Sequence, residues 1–207
     1  MLEPSSEAFW FYEESPWYIY SINSRGFIYY IIMKNILFIS WSPRKGNTEY
    51  VLKKVFDKIP GKKEFVALKD MNIRECIGCF HCKKTGVCVF KDDMKELTKK
   101  LLAADTIVLW SPNYFANVSW LTKIFIDRTF VLYHKSLLKS KKIALVVTGH
   151  SKDAMNKKYM MQWCFGFVKY QQMKLIDVYP LCADDEAAFK KDPKIEKKIM
   201  KILDSII

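Results

Sequence analysis

A chain of 207 residues, half of them apolar, can bury one well-formed core and is too short for two. Its formal charge of +12 comes from lysines in adjacent pairs along the whole length, such as Lys62-Lys63, Lys99-Lys100 and Lys197-Lys198. No stripe or arm collects that charge, which argues against a nucleic-acid binder, although the surplus suits acidic proteins or anionic cofactors by long-range steering. The most apolar stretch, FIYYIIMKNILFIS, is interrupted by Lys34 and Asn35 before it reaches bilayer length, and Glu3 and Glu7 stand where a secretory leader carries positive charge. The expectation is therefore a cytoplasmic protein with no membrane partner, in a reducing compartment.

Residues 1–32 are crowded with aromatics, and Arg25 is their only basic residue. No periodicity there persists long enough to define an element, so they read as an extension outside the core, either without a structural role or as an arm whose rings pack on a subunit. From Met33 onward short apolar runs alternate with amphipathic stretches. The strands are expected near 35–40, 64–69, 106–111, 142–148 and 174–180, and the helices at 47–58, 92–104, 119–134, 153–172 and 185–205. Continuous apolar strands separated by helices predict a doubly wound, five-stranded parallel sheet over 33–207.

After the first strand, Ser42-Pro43-Arg44-Lys45-Gly46-Asn47-Thr48 runs from a strand end into a helix start. Free N–H groups and the helix dipole favour a phosphate there. Ser42, Asn47 and Thr48 add side-chain donors, and Arg44 or Lys45 adds charge. The plainer reading is that Asn47 or Thr48 only caps the helix. The loop matches neither the dinucleotide nor the nucleoside-triphosphate glycine pattern.

The thirteen residues CIGCFHCKKTGVC place Cys76, Cys79, Cys82 and Cys88 in a C-x2-C-x2-C-x5-C pattern after the second strand. Two x2 steps curl the backbone so that three thiolates converge, and Gly86 permits the reversal that brings the fourth. Four thiolates suit a [4Fe–4S] cluster. Zinc also takes four thiolates but usually pairs two knuckles across a longer spacer, so zinc and no metal remain the other readings. His81, a lone histidine in this loop, reads as solvated or capping a backbone group. Asp93 with Glu96 offers a capping box to the next helix, and Asp92 competes as its N-cap.

The third strand ends in Ser111-Pro112-Asn113-Tyr114-Phe115. In a sheet of order 2-1-3-4-5 the first and third strands flank the switch point, so this loop and the phosphate loop face one crevice. Pro112 stiffens the turn, and Tyr114 and Phe115 offer rings to a planar heterocycle. Thr148-Gly149-His150 supplies a third side. Asp127-Arg128 reads as a structural charge pair, and Cys164 and Cys182 as buried thiols.

The motifs SPRKGNT, CIGCFHCKKTGVC, DDM (Asp92 to Met94), SPNYF and KIFIDR (Lys123 to Arg128), in this order, resemble the iron–sulfur flavoproteins, within the flavodoxin-like NAD(P)H-dependent FMN reductases. The resemblance covers Met33 to the C-terminus. It implies a flavodoxin-like fold, FMN at the switch point, a [4Fe–4S] cluster on the four cysteines, and a homodimer or homotetramer in which one subunit's cluster lies near a neighbour's flavin. Carried over, Ser42, Arg44, Asn47 and Thr48 hold the FMN phosphate, with Lys45 beside them, and Pro112, Asn113, Tyr114 and Phe115 line the isoalloxazine, with Thr148 beside it. Relatives often have glycine before the SPR motif. Here Trp41 stands in that place, and its ring is expected to shield the flavin or narrow the loop.

The function expected from this reading is an electron-transfer oxidoreductase that takes electrons from ferredoxin or NAD(P)H and passes them to a quinone, oxygen or peroxide. The two rivals are a cluster-free NAD(P)H-dependent FMN or quinone reductase, and a zinc-binding interaction module without catalysis.

Overall fold

Tyrosine and isoleucine fill two five-residue runs near the amino terminus, and both are strands in the computed structural model: β1 (Tyr18–Ile22) pairs antiparallel with β2 (Ile28–Ile32), Tyr20 opposite Tyr30. The structure describes residues 18–22, 28–32, 34–183 and 188–206. The hairpin departs from the expectation that this segment holds no element. Aromatic and β-branched residues favour a pleated strand even in runs too short to show a period. The aromatics at 9–12, 17 and 27 lie outside the described residues. The chain divides into two units, Met1–Lys34 and Asn35–Ile207.

The second unit is built on β3 (Ile36–Ser40), β4 (Lys63–Ala67), β5 (Thr106–Tyr114), β7 (Lys142–Gly149) and β8 (Lys174–Cys182). These five are parallel in the order β4-β3-β5-β7-β8, which is the predicted 2-1-3-4-5 arrangement. A two-residue strand, β6 (Asn117–Val118), folds back on the end of β5. All five residues of β3 are buried because helices cover both faces of the sheet. Its pleat sends Ile36 and Phe38 to a core with Val51, Leu52 and Val55, and Leu37 and Ile39 to a second core with Leu97 and Phe125.

The helices are α1 (Asn47–Lys58), α2 (His81–Thr85), α3 (Met94–Ala103), α4 (Trp120–Arg128), α5 (Phe130–Tyr133), α6 (Asp153–Tyr170), α7 (Ala188–Lys191) and α8 (Ile195–Ile206). Two predicted helices are each split. The one over 119–134 breaks at Thr129, whose hydroxyl donates to the Ile126 carbonyl at 2.6 Å and so competes with the helical ladder. The one over 185–205 breaks at Asp192 and Pro193, where the Asp192 carboxylate accepts from the Lys194 amide at 2.8 Å. Proline disfavours a helical residue before it and starts the next helix instead. Among the described residues no helix is long and apolar enough to cross a membrane.

Cys164, on α6, is fully buried as expected, and burial pushes its thiol up to about 12. At pH 8 a maleimide should leave Cys164 unmodified in the folded protein and label it only after unfolding; mass mapping of the labelled peptides checks this. Cys182 is instead only half-buried, because it sits at the open carboxyl end of β8, its sulfur 3.4 Å from the His150 carbonyl.

Candidate functional site

At the carboxyl edge of the sheet, β3 leaves toward α1 and β5 leaves toward β6, and a cavity of about 340 Å³ opens between them. Of the ten residues proposed from sequence, Ser42, Arg44, Asn47, Thr48, Pro112, Asn113, Tyr114 and Thr148 line it. Lys45 and Phe115 do not. Lys45 is exposed on the loop, and Phe115 stands wholly exposed on the β5–β6 turn in the left-handed region, φ 49°. Gly149 and His150 line the third side, with Gly46 and Ala183 added.

Gly46 is the N-cap residue of α1 and has no side chain to cap it, and the positive end of the helix dipole favours an anion there. Asn47 and Thr48 are the first helical residues and do not cap it. The Asn47 side chain accepts from the Phe189 amide at 3.2 Å, and the Thr48 hydroxyl lies 2.6 Å from that of Thr148. Ser42 turns the loop by donating to the Arg44 carbonyl at 2.8 Å. A ring of hydroxyls fixes the loop from beneath. Ser119, the N-cap of α4, donates to the Trp41 carbonyl at 2.8 Å and lies 3.0 Å from the Thr122 hydroxyl, itself 2.8 Å from that of Ser111.

Trp41 does not shield the cavity. Its amide continues the β3–β5 ladder to the Trp110 carbonyl, and the pleat therefore sends its ring into the core, fully buried and 5.1 Å from the ring of Phe125. Trp41 is absent from the cavity lining.

Sequence reasoning missed Asn156. This α6 residue is fully buried, accepts from the Asn113 amide at 2.9 Å, and donates to the Gly149 and Ser151 carbonyls at 3.2 and 2.7 Å. It locks two walls of the cavity together. A polar residue on the otherwise apolar buried face of α6, with Met160, Cys164, Phe167 and Val168, was the available signal. The Oδ1 of Asn113 is buried without a hydrogen-bond partner at the cavity wall, which suits a ligand bearing a donor.

The cysteine loop links β4 to α3. Gly78, Phe80 and Gly86 adopt left-handed conformations at φ 64°, 55° and 77°, and the Gly86 amide closes α2 onto the Cys82 carbonyl at 2.9 Å. Gly86 thus makes the expected reversal. His81 is exposed, and its carbonyl accepts from the Thr85 hydroxyl. All four motif thiols are free. Burial, then the neighbouring Cys88 and Cys76, push the Cys82 thiol up, with a smaller contribution from Cys79. Among the described residues no three His, Cys, Asp or Glu side chains are close enough to hold a metal ion. The tight convergence expected from the spacing is not formed. The donor set, four free thiols on one curled loop, fits a thiolate-held group.

A family model described as NADPH-dependent FMN reductase matches residues 34–200. The chain belongs to the NADPH-dependent FMN reductase family. Among curated relatives, this FMN reductase family member is 37% identical over 122 residues to an iron-sulfur flavoprotein of Methanocaldococcus jannaschii, covering 57% of this chain and 63% of that one. It is 40% identical over 97 residues to an iron-sulfur flavoprotein of Archaeoglobus fulgidus, covering 45% and 48%. The chain therefore spans about half to two thirds of the length of these relatives. The flavodoxin-like fold is shared with a solved flavodoxin, WrbA-like protein from Agrobacterium tumefaciens, at TM-score 0.58 and 14% identity, over 84% of this chain and 95% of that one.

Behind the cysteine loop of this family member lies a buried ion pair that differs from the one expected. Arg128 pairs with Asp92, at 2.6 and 2.8 Å, and also donates to the Arg74 carbonyl at 2.6 Å. Asp127 pairs with Lys123 one turn back, since adjacent helical residues face different directions. Asp92 also accepts from the Arg74 and Met94 amides, so its side chain, rather than that of the N-cap residue Asp93, holds an amide at the start of α3. The Asp93 carboxylate binds the Asn72 amide at 2.7 Å, so the capping box with Glu96 is not formed.

Proposed function

We propose that the chain is an FMN- and [4Fe–4S]-dependent electron-transfer oxidoreductase. What supports this most directly is one unit that carries both a cavity at the switch point, beside a helix start whose N-cap is a glycine, and four free thiols on one loop. The α1 amides with Ser42, Arg44, Asn47 and Thr48 would hold the FMN phosphate, and Lys45 adds charge from the rim. Pro112, Asn113, Tyr114 and Thr148 would line the isoalloxazine, with Phe115 reaching over it from the exposed turn or into a neighbouring subunit. Cys76, Cys79, Cys82 and Cys88 would hold the cluster.

FMN exchanges electrons singly or in pairs and a cluster exchanges them one at a time, so the two together join one-electron and two-electron partners. The chain's own residues bind and orient. Donors at the helix start neutralise phosphate charge, and the Asn113–Asn156–Gly149 clamp sets the wall against which a ring would lie. The donor is ferredoxin or NAD(P)H, and the acceptor is a quinone, oxygen or peroxide. The location is the cytoplasm. A homodimer or homotetramer is supported by the exposed Ile77, Phe80, Phe115, Trp120 and Trp163.

Anaerobic purification tests the reading. A brown protein with about four irons and one FMN per chain supports it, since thiolate-held clusters carry broad charge-transfer absorbance. A yellow, iron-free protein replaces it with a cluster-free FMN or quinone reductase, and a colourless zinc protein with an interaction module. With the charge at +12, flavin reduction by an acidic ferredoxin should slow as salt rises from low to physiological strength. Equal stopped-flow rates at both strengths would remove electrostatic docking of the donor on the basic surface.

A further inference from the structure

The tip of the β5–β6 hairpin is bent in a way its own residues do not favour. Phe115 and Ala116 make the turn between the paired residues Tyr114 and Asn117, and both have positive φ, 49° and 60°. Two-residue hairpin turns of this hand favour glycine or asparagine, because a Cβ crowds the neighbouring backbone there. Among the described residues two pairs tie β6 to β5, Asn113 with Val118 and Tyr114 with Asn117. The Asn117 side chain accepts from the adjacent Val118 amide at 2.8 Å, on its own strand. A bend of this kind persists only when its surroundings impose it.

Helix α6 imposes it. Asn156 and Trp163 lie seven residues apart, about two helical turns, and so face the same way. Asn156 holds Asn113 at the base of the hairpin, and the Trp163 indole Nε1–H donates to the Ala116 carbonyl at 2.8 Å at its tip. The indole also lines one groove with Asn117 and Val118, alongside the hairpin. What the two anchors fix is the end of β5: Asn113 and Tyr114 line the switch-point cavity, whereas Phe115 is wholly exposed and stays outside it.

We propose that Trp163 is a positioning residue for the flavin site: its N–H holds the Phe115–Ala116 turn in the left-handed bend and thereby sets Tyr114 against the isoalloxazine and Phe115 beyond the rim. The indole does not line the cavity and acts only through the hairpin. The inference rests on the FMN-binding reading given above.

In the test, the full chain purified without flavin is titrated with FMN, and the visible circular dichroism of the bound flavin is recorded at saturation. Trp163→Phe keeps a ring in the groove and removes the donor. It is expected to weaken FMN binding about three- to tenfold, the range of one lost hydrogen bond, and to alter the flavin dichroism even at saturation. Ala116→Gly supplies a residue that takes positive φ freely, so in the Trp163→Phe background it should return both the affinity and the spectrum to those of the parent. A role confined to global stability would move the urea midpoint and leave the saturated spectrum unchanged, and that result overturns the proposal. Failure of the glycine to restore what the phenylalanine variant lost overturns it equally. Trp163 is 42% exposed, so its replacement does not threaten the fold. Parent protein that takes up no FMN would sink the flavin reading and this inference together, whereas a parent that binds FMN with Trp163→Phe indistinguishable from it sinks only the inference.

Discussion

Replacing Asp92 by alanine should destabilise the fold by about 3–5 kcal/mol, the usual cost of stranding one partner of a buried ion pair. The two side chains are 2% and 1% exposed, so the Arg128 guanidinium left behind has no water to turn to. The same substitution also releases the Arg74 and Met94 amides, which unties the cysteine loop from the start of α3. Asp127→Ala is the control. Its pair with Lys123 is exposed, with side chains 42% and 58% accessible, and should be worth about 0–1 kcal/mol. Urea unfolding of both variants measures the difference at constant slope. The pH dependence has a definite sign. Burial raises the Asp92 pKa, but the hydrogen bonds from Arg128 and the Arg74 amide, with the Arg128 charge, outweigh it and hold the carboxyl below its ordinary 3.8. The stability this pair contributes is therefore complete above pH 3.8 and is lost as pH falls through the lower folded value. The gap between parent and Asp92→Ala should be full at pH 7 and close in acid below about pH 4. A gap under about 1 kcal/mol at pH 7 would mean the site relaxes to let water reach Arg128.

The sheet was legible because its central strands are continuous apolar runs, and a parallel sheet covered on both faces buries every residue of a strand such as Ile36–Ser40. The cavity was legible to the extent that strand order places the ends of β3 and β5 side by side. The contact between Thr48 and Thr148, 100 residues apart, depends on the register that sets Pro112 opposite Thr148, which no local pattern encodes. Trp41 was misjudged by comparison with relatives, although the alternation Leu37, Ile39, Trp41 already assigned it to one core face. Arg128 was misjudged through adjacency: neighbours in a helix diverge, and its partner lies 36 residues back across the cysteine loop. Asn156 escaped because its use becomes clear only once α6 is laid against the end of β7.

Gly149→Ala should weaken FMN binding by about tenfold or more, an effect of about 1.4 kcal/mol. The position is closed by space rather than by dihedral angle, since Gly149 is not among the described glycines with positive φ. A Cβ there would lie 2.7 Å from the Asn156 Oδ1 and 2.9 Å from the Asn113 Cβ, inside any real contact distance. Asn156 cannot retreat without releasing the Gly149 and Ser151 carbonyls, and Asn113 cannot retreat without breaking its hydrogen bond to Asn156 and shifting the cavity wall. Overpacking of this kind typically costs about 1–3 kcal/mol, and the strain falls on the wall that a bound ring would touch. Titration of apoprotein with FMN, followed by quenching of flavin fluorescence, measures the affinity. Gly166→Ala makes the same change near the carboxyl end of α6, where the new Cβ meets only the Tyr170 ring at 3.6 Å, an ordinary contact. That variant should bind FMN as the parent does and gain about 0.5–1 kcal/mol from helix propensity. An affinity for FMN in Gly149→Ala within about twofold of the parent would show that the Asn113–Asn156 clamp takes no part in shaping the flavin site, since a twofold change is only about 0.4 kcal/mol.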